Sequence, residues 1–291
     1  MRKKISIAIL VCVIIIFVFI INLLSKSSNE FYTLQGKIIA MQGDVPFEFP
    51  LYIYDLKSDE LIEKRVNFYE PKYNVNEDNT LIAIVNNGDK QEICEFTQGL
   101  YEKKRTIYIG KNIENPKFVP NKDDISFIED NKLVYYCIDK KEYSIIAPVA
   151  YPEYDWLDSD TVLLTQESSQ NKTNIYAYNI SDKKMNLYKE NAANPAISYN
   201  RKYLAYQLPV NRDTVYVEDL SNNKINKIQV KNKGILPFKP SNDGKYMLCV
   251  MYESSKADVV IINISNSKIK KIISNVFPSS IDWKYENDFI E

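Results

Sequence analysis

The sequence predicts an all-β chain: a six-bladed β-propeller of four-stranded blades, preceded by an N-terminal transmembrane helix. Three observations carry this. Tyr, Ile and Val favour strands, and Tyr alone supplies 22 of 291 residues. A four-strand pattern recurs about every 41 residues, the period of a propeller blade. A 20-residue, almost wholly apolar run lies near the start of the chain.

That run is Ile5 to Leu24, interrupted only by Ser6 and Asn22. Twenty residues at about 1.5 Å each cross a bilayer core of about 30 Å. Signal-peptide cores are shorter and end at a small-residue cleavage site; Ser25-Lys26-Ser27 matches one poorly. Arg2, Lys3 and Lys4 precede the run, while Lys26 alone directly follows it. Positive charge stays inside, so the N-terminus is expected in the cytoplasm and the remainder outside. The expected organisation is a cytoplasmic stub and anchor (1–26), a linker (27–31) and a propeller (32–291). The stub is too short for a signalling domain, so any signal has to pass through a partner.

The repeat begins at once. Strands are expected near 37–42, 51–56 and 61–66. Hairpins starting at Pro50, Lys132, Asn174, Thr214 and Asp258 share one form: apolar-aromatic alternation, a polar residue, Leu or Ile, a polar turn, a second strand. The residue before the Leu/Ile is Asp55, Cys137, Asn179, Asp219 or Asn263. One interval is double the others, and residues 92–110 fill it with a degenerate copy. Ahead of each hairpin lies a polar turn and a short apolar strand, clearest in PSNDGKYMLCVMY (240–252). Asn-Asp-Gly is turn chemistry, because Gly tolerates positive φ and Asp bonds its own backbone. The unalternating run after it fits a strand covered on both faces. Before those turns come Glu70-Pro71-Lys72-Tyr73, Asn115-Pro116-Lys117-Phe118, Tyr154-Asp155-Trp156, Asn194-Pro195-Ala196-Ile197 and Leu236-Pro237-Phe238. The first unit lacks this leading strand, and Ser280-Ile281-Asp282-Trp283 supplies it. The C-terminal strand is therefore expected to complete the first blade. Asp288-Phe289-Ile290 is left over and keeps a seven-bladed ring as the alternative.

The pattern Pro-x-aromatic-Ser, Asp-Gly-Lys-aromatic-apolar, Ile-Tyr-x-x-Asp-Leu resembles the TolB-like, WD40-like propellers and their relatives attached to prolyl oligopeptidases. PSNDGKYMLCVMY and NPAISYNRKYLAYQ are its best pieces. The resemblance implies the architecture, and a propeller that binds proteins or gates another domain. Blades two and three diverge from it. A hydrolase domain is not expected in these 291 residues beside the propeller, so the peptidase relatives are expected to lend no chemistry here.

Composition narrows the function. Charge is nearly balanced, 37 basic against 38 acidic residues, which argues against a nucleic-acid partner. Histidine is absent. That removes Ser-His-Asp and Cys-His activation and histidine-containing zinc sites, and with them the metal site of pectin-degrading propeller lyases. The glycines are too scattered for a phosphate loop. Cys12 lies in the apolar run, and Cys94, Cys137 and Cys249 are spaced as free thiols, not as a disulfide framework. No catalytic, cofactor or metal residue is therefore assigned.

The candidate ligand site is the channel mouth: Tyr154, Asp155, Trp156, Asp282 and Trp283. One reading has the Asp-Trp pairs stack on a sugar or grip a peptide. The other has Trp fill the wedge between blades while Asp caps a turn, and the recurrence at one repeat position favours it. Asp123-Asp124 and Glu129-Asp130 sit at repeat turns, where acids are routine. Tyr52, Tyr176 and Tyr216 read as strand packing. The sequons at 171–173, 179–181 and 263–265 fall largely on the repeat's own polar position and read as coincidence. The expected function is a non-catalytic, membrane-tethered, monomeric binding module for a protein or envelope component. The alternatives are a sensory ectodomain for a membrane partner, or a carbohydrate-active enzyme. The enzyme's mark would be a concave pocket holding two convergent carboxylates of raised pKa.

Overall fold

The computed structural model describes residues 31, 34–42, 49–73, 80–97, 102–149, 151–167, 172–253, 256–276 and 278–284. The expected anchor, the sequon residue Asn171 and residues 288–290 lie outside them. Among the described residues no helix is long and apolar enough to cross a membrane. The chain separates into two compact units, residues 1–35 and 36–291. The propeller is the second.

Its 24 described strands form six four-stranded antiparallel sheets. Blade 1 contains β1 (Lys37–Gln42), β2 (Phe49–Asp55) and β3 (Glu60–Val66). Blade 2 is β4 (Tyr69–Tyr73), β5 (Thr80–Asn87), β6 (Lys90–Thr97) and β7 (Lys103–Gly110). Blade 3 is β8 (Ile113–Phe118), β9 (Ile125–Glu129), β10 (Lys132–Cys137) and β11 (Glu142–Pro148). Blade 4 is β12 (Tyr154–Trp156), β13 (Thr161–Glu167), β14 (Thr173–Asn179) and β15 (Lys184–Lys189). Blade 5 is β16 (Ala193–Ile197), β17 (Tyr203–Gln207), β18 (Thr214–Asp219) and β19 (Lys224–Gln229). Blade 6 is β20 (Gly234–Pro240), β21 (Tyr246–Glu253), β22 (Lys256–Asn263) and β23 (Ile269–Ser274). The last strand, β24 (Pro278–Lys284), pairs with β1 and supplies the fourth strand of blade 1, as the sequence predicts.

Hydrophobic burial between neighbouring sheets drives the assembly. Ala205 and Val217 of blade 5 pack on Met247, Cys249 and Val260 of blade 6. Ile39 and Leu51 of blade 1 meet Leu81 and Cys94 of blade 2. The same arrangement joins blades 2 and 3, 3 and 4, and 4 and 5. A strand covered on both sides needs no in-out alternation, and Tyr246–Met251 is buried at every position.

The turns explain the repeat's polar position. Asp55 accepts bonds from Lys57 N and Ser58 N at 2.9 and 3.0 Å. Asp219 and Asn263 do the same for Ser221 N and Ser265 N. Asn179 accepts from Asp182 N. Four residues further on, Asp59, Lys141, Lys183, Asn223 and Ser267 all take positive φ, from 53° to 63°. The following Leu or Ile ties four of the five hairpins to the turn before it: Leu56, Ile180, Leu220 and Ile264 donate their N–H to Gly36, Asp160, Lys202 and Lys245 carbonyls, while Ile138 N donates to the Asp124 side chain. The two described sequon asparagines, Asn179 and Asn263, thus have a structural use. Gly244 at φ 66° turns Asn-Asp-Gly, as its sequence requires.

Candidate functional site

The innermost strand of each blade faces the central channel. Inner strands leave one backbone edge unpaired, which is where proline is tolerated. In β4, β8 and β16 the residue before proline, Glu70, Asn115 or Asn194, has φ of 51°, 48° or 56°. Each marks a bulge in the ladder to the next strand. β20 carries a register shift at the same stage; the β24–β1 pair shifts earlier, between Pro278 and Ser280. Bulges re-aim side chains. The residue after the bulge in β4, β8, β16 and β20, and its equivalent in β12 and β24, enters the channel wall.

Those equivalent residues are Asp282, Lys72, Lys117, Asp155, Ala196 and Lys239, one from each blade in ring order. They line a cavity of about 280 Å³ framed by all six inner strands. Both aspartates are buried, and each ties two blades together. Asp155 accepts bonds from its neighbour Trp156 N (3.0 Å) and from Ile197 N of blade 5 (2.8 Å). Asp282 accepts from Trp283 N (3.0 Å), Tyr73 N of blade 2 (2.9 Å) and Tyr199 Oη (3.0 Å). Lys117 Nζ lies 3.3 Å from Asp155, and Lys239 Nζ lies 3.6 Å from Asp282 and 4.1 Å from the centre of the Tyr199 ring. Lys72 Nζ donates to Ile281 O at 2.9 Å. Arg201, on the turn after β16, donates to Trp156 O at 3.0 Å.

Burial on its own would raise the Asp155 pKa. The charges of Lys117, Lys239 and Arg201 and the Ile197 N–H outweigh it and hold the carboxylate well below its usual range. Asp282 is lowered in the same way, against burial, by Lys239, Lys72 and two N–H donors. The lysines move the other way. Burial lowers Lys117 to about 8, and it lowers Lys72 with help from the charge of Lys239.

Glu70 and Glu153 precede this tier by two residues on β4 and ahead of β12, and Glu114 stands beside them. Glu70 accepts from Asn115 N. Burial raises the pKa of both Glu70 and Glu153.

Of the five residues expected at the channel mouth, Tyr154, Asp155 and Asp282 line the cavity. Trp156 and Trp283 do not; each is 1% exposed. Trp156 packs between blades 3 and 4 and donates Nε1–H to Ser126 Oγ at 2.8 Å. Burial there leaves no ring face open for stacking. Tyr154 is 1% exposed, and its hydroxyl bonds Ser126 Oγ and Asn115 O. The turn-capping role expected for the aspartates is corrected: they reach sideways to the next inner strand. The lysine tier escaped the sequence reading, although Pro-Lys-aromatic in both β4 and β8 was its signal. Asp124 and Glu129 are engaged at turns, with Tyr135 and Ile138, and with Tyr108 and Lys111. Cys94 and Cys249 are buried free thiols, and Cys137 is half-buried. Among the described residues no cluster of His, Cys, Asp or Glu could hold a metal ion.

No protein-family model matches the chain, and no curated protein matches it. Solved structures do. TolB from Acinetobacter baumannii is 13% identical over 88% of this chain and 67% of its own, with a TM-score of 0.68. A chain of the nidogen/laminin complex is 9% identical over 84% of this chain and 97% of its own, at 0.58. The β-propeller domain of the Trilobed protease from Pyrococcus furiosus, described by an open velcro topology, is 12% identical over 82% of both chains, at 0.54. With the six sheets and the β24–β1 seam, these likenesses make the fold that of the TolB-like six-bladed β-propellers.

Proposed function

We propose that the protein is a membrane-anchored, extracytoplasmic, monomeric propeller that binds a protein or envelope component without catalysis. The observation that carries this is the channel wall. Each of the six blades contributes to one charged cavity, and its aspartates are spent on holding neighbouring blades in place. A rigid ring with loops at its ends suits recognition. A fold relative found in a nidogen/laminin complex supports protein binding. The anchor rests on Ile5–Leu24 and the charges before it. Crosslinking in the native membrane, followed by mass spectrometry, is expected to recover one envelope partner. Recovery of the propeller from the cytosol, or no reproducible crosslink, would refute the reading.

A second reading has a specific observation in its favour. Glu70 and Glu153 line one concave cavity and both have raised pKa, two of the three marks expected of a carbohydrate-active enzyme, the third being convergence of the pair. Incubation with cell-wall polysaccharide decides it. Release of sugars by the wild type, abolished in Glu153→Gln, would replace binding by hydrolysis.

A further inference from the structure

The cavity charges do not balance tier by tier. At the lysine tier four cations, Lys72, Lys117, Lys239 and Arg201, face two carboxylates, Asp155 and Asp282. Those carboxylates already accept the N–H groups that join blades. Lys72 Nζ has a main-chain carbonyl as its acceptor, and no carboxylate contacts it among the described residues. A lysine ammonium carries three donors, so this tier keeps donors and positive charge to offer. The glutamate tier is the reverse. Glu70, Glu114 and Glu153 gather there, and Glu153 Oε2 is shut off from solvent with no hydrogen-bond partner among the described residues. Partly desolvated charge without a contact partner is costly; the two excesses have opposite sign, and Lys72 and Lys117 act on Glu70 and Glu153 only through space, with no ion pair between the tiers among the described residues.

We propose that the channel cavity is a binding site for a small dipolar molecule, its carboxylate held by Lys72, Lys117 and Lys239 and its amine by Glu153 and Glu114. An anion alone would leave the glutamate tier unrelieved, and a cation alone the lysine tier. Glu153 precedes Asp155 by two residues, and Glu114 precedes Lys117 by three across the Asn115 bulge, a separation of about 7 Å at roughly 3.3 Å per residue once the bulge is discounted. The ligand class is therefore an amino acid or similar molecule whose charges are separated by several bonds. The cavity of about 280 Å³ is of a size for such a molecule, near the lower end of ligand pockets at about 300 Å³. This goes beyond the docking of a macromolecular partner and is independent of it.

The test is calorimetry on the purified full chain with three matched probes: 6-aminohexanoate, hexanoate and hexylammonium. At neutral pH the dipolar probe is expected to bind at least about tenfold more tightly than either half-charged probe. Glu153→Gln, a near-isosteric change, should bring 6-aminohexanoate close to hexanoate and leave hexanoate unaffected. Lys72→Met should weaken both acids. Equal binding of 6-aminohexanoate and hexanoate would overturn the proposal, as would no saturable binding of any probe below about 10 mM. If Lys72→Met fails to fold, the Glu153→Gln comparison decides.

Discussion

Replacing Asp282 by Asn tests how the ring is held at its seam. One carboxylate oxygen accepts Trp283 N and faces Lys239; the other accepts Tyr73 N of the next blade and the Tyr199 hydroxyl. Asparagine keeps the volume but turns an amide NH2 toward groups that are themselves donors. It also leaves Lys239 without its carboxylate. Breaking a buried pair by removing one member costs about 3–5 kcal/mol. Two newly unsatisfied donors at about 1–3 kcal/mol each give a similar figure. At roughly 2–4 °C per kcal/mol for a domain of this size, Asp282→Asn should melt about 10 °C lower. Near-ultraviolet circular dichroism of the buried indoles reports the transition. The pH dependence has a definite sign. Asp282 is depressed in the folded state despite its burial, because Lys239, Lys72 and two N–H groups favour the anion. Its stabilisation is therefore complete above the unfolded value of about 3.9 and is lost as pH falls through the lower folded value. The gap between wild type and variant should close in acid. A variant within about 0.5 kcal/mol of wild type at neutral pH would refute the reasoning, as would a gap indifferent to acid.

Three further outcomes are expected. Deleting residues 278–291 removes β24 and leaves the inner edge of β1 unpaired, so the shortened chain should melt sharply lower; an unchanged melt would disprove the seam. Trp156→Ala empties a wedge between blades 3 and 4 and should cost about 3–5 kcal/mol in urea titration, where a loss below about 1 kcal/mol would contradict that packing. Lys117 is an ammonium below about 8 and an amine above it. Hexanoate affinity should therefore fall as pH rises through that value, and a flat profile would place Lys117 outside the site.

The fold was legible because its signals are local. Asp55, Asn179, Asp219 and Asn263 cap turns through bonds within a few residues of themselves, so their spacing alone reveals the blade. The seam was legible because Ile281-Asp282-Trp283 repeats the chemistry of Tyr154-Asp155-Trp156. The channel was harder to read. Its wall is set by bulges after Glu70, Asn115 and Asn194, and a bulge changes which residue faces inward without changing the strand's composition. Lys239 stands in a Pro-Phe-Lys-Pro stretch that does not align with Pro71-Lys72 or Pro116-Lys117 until the register is known. Glu153 precedes its strand and belongs to no motif. That its Oε2 finds no hydrogen-bond partner among the described residues is a property of three dimensions.

The β24–β1 seam also orders events during synthesis. The strand that completes the first blade is made after all the others, and ribosomes add about 5–20 residues per second. The opening blade must therefore wait on the order of tens of seconds with one flank of β1 bare. Blades 2 to 6 can stack in sequence as they emerge, but the circle cannot shut until residues 278–284 are clear of the ribosome. Whatever chaperone handles this protein during synthesis meets an open arc, not a ring.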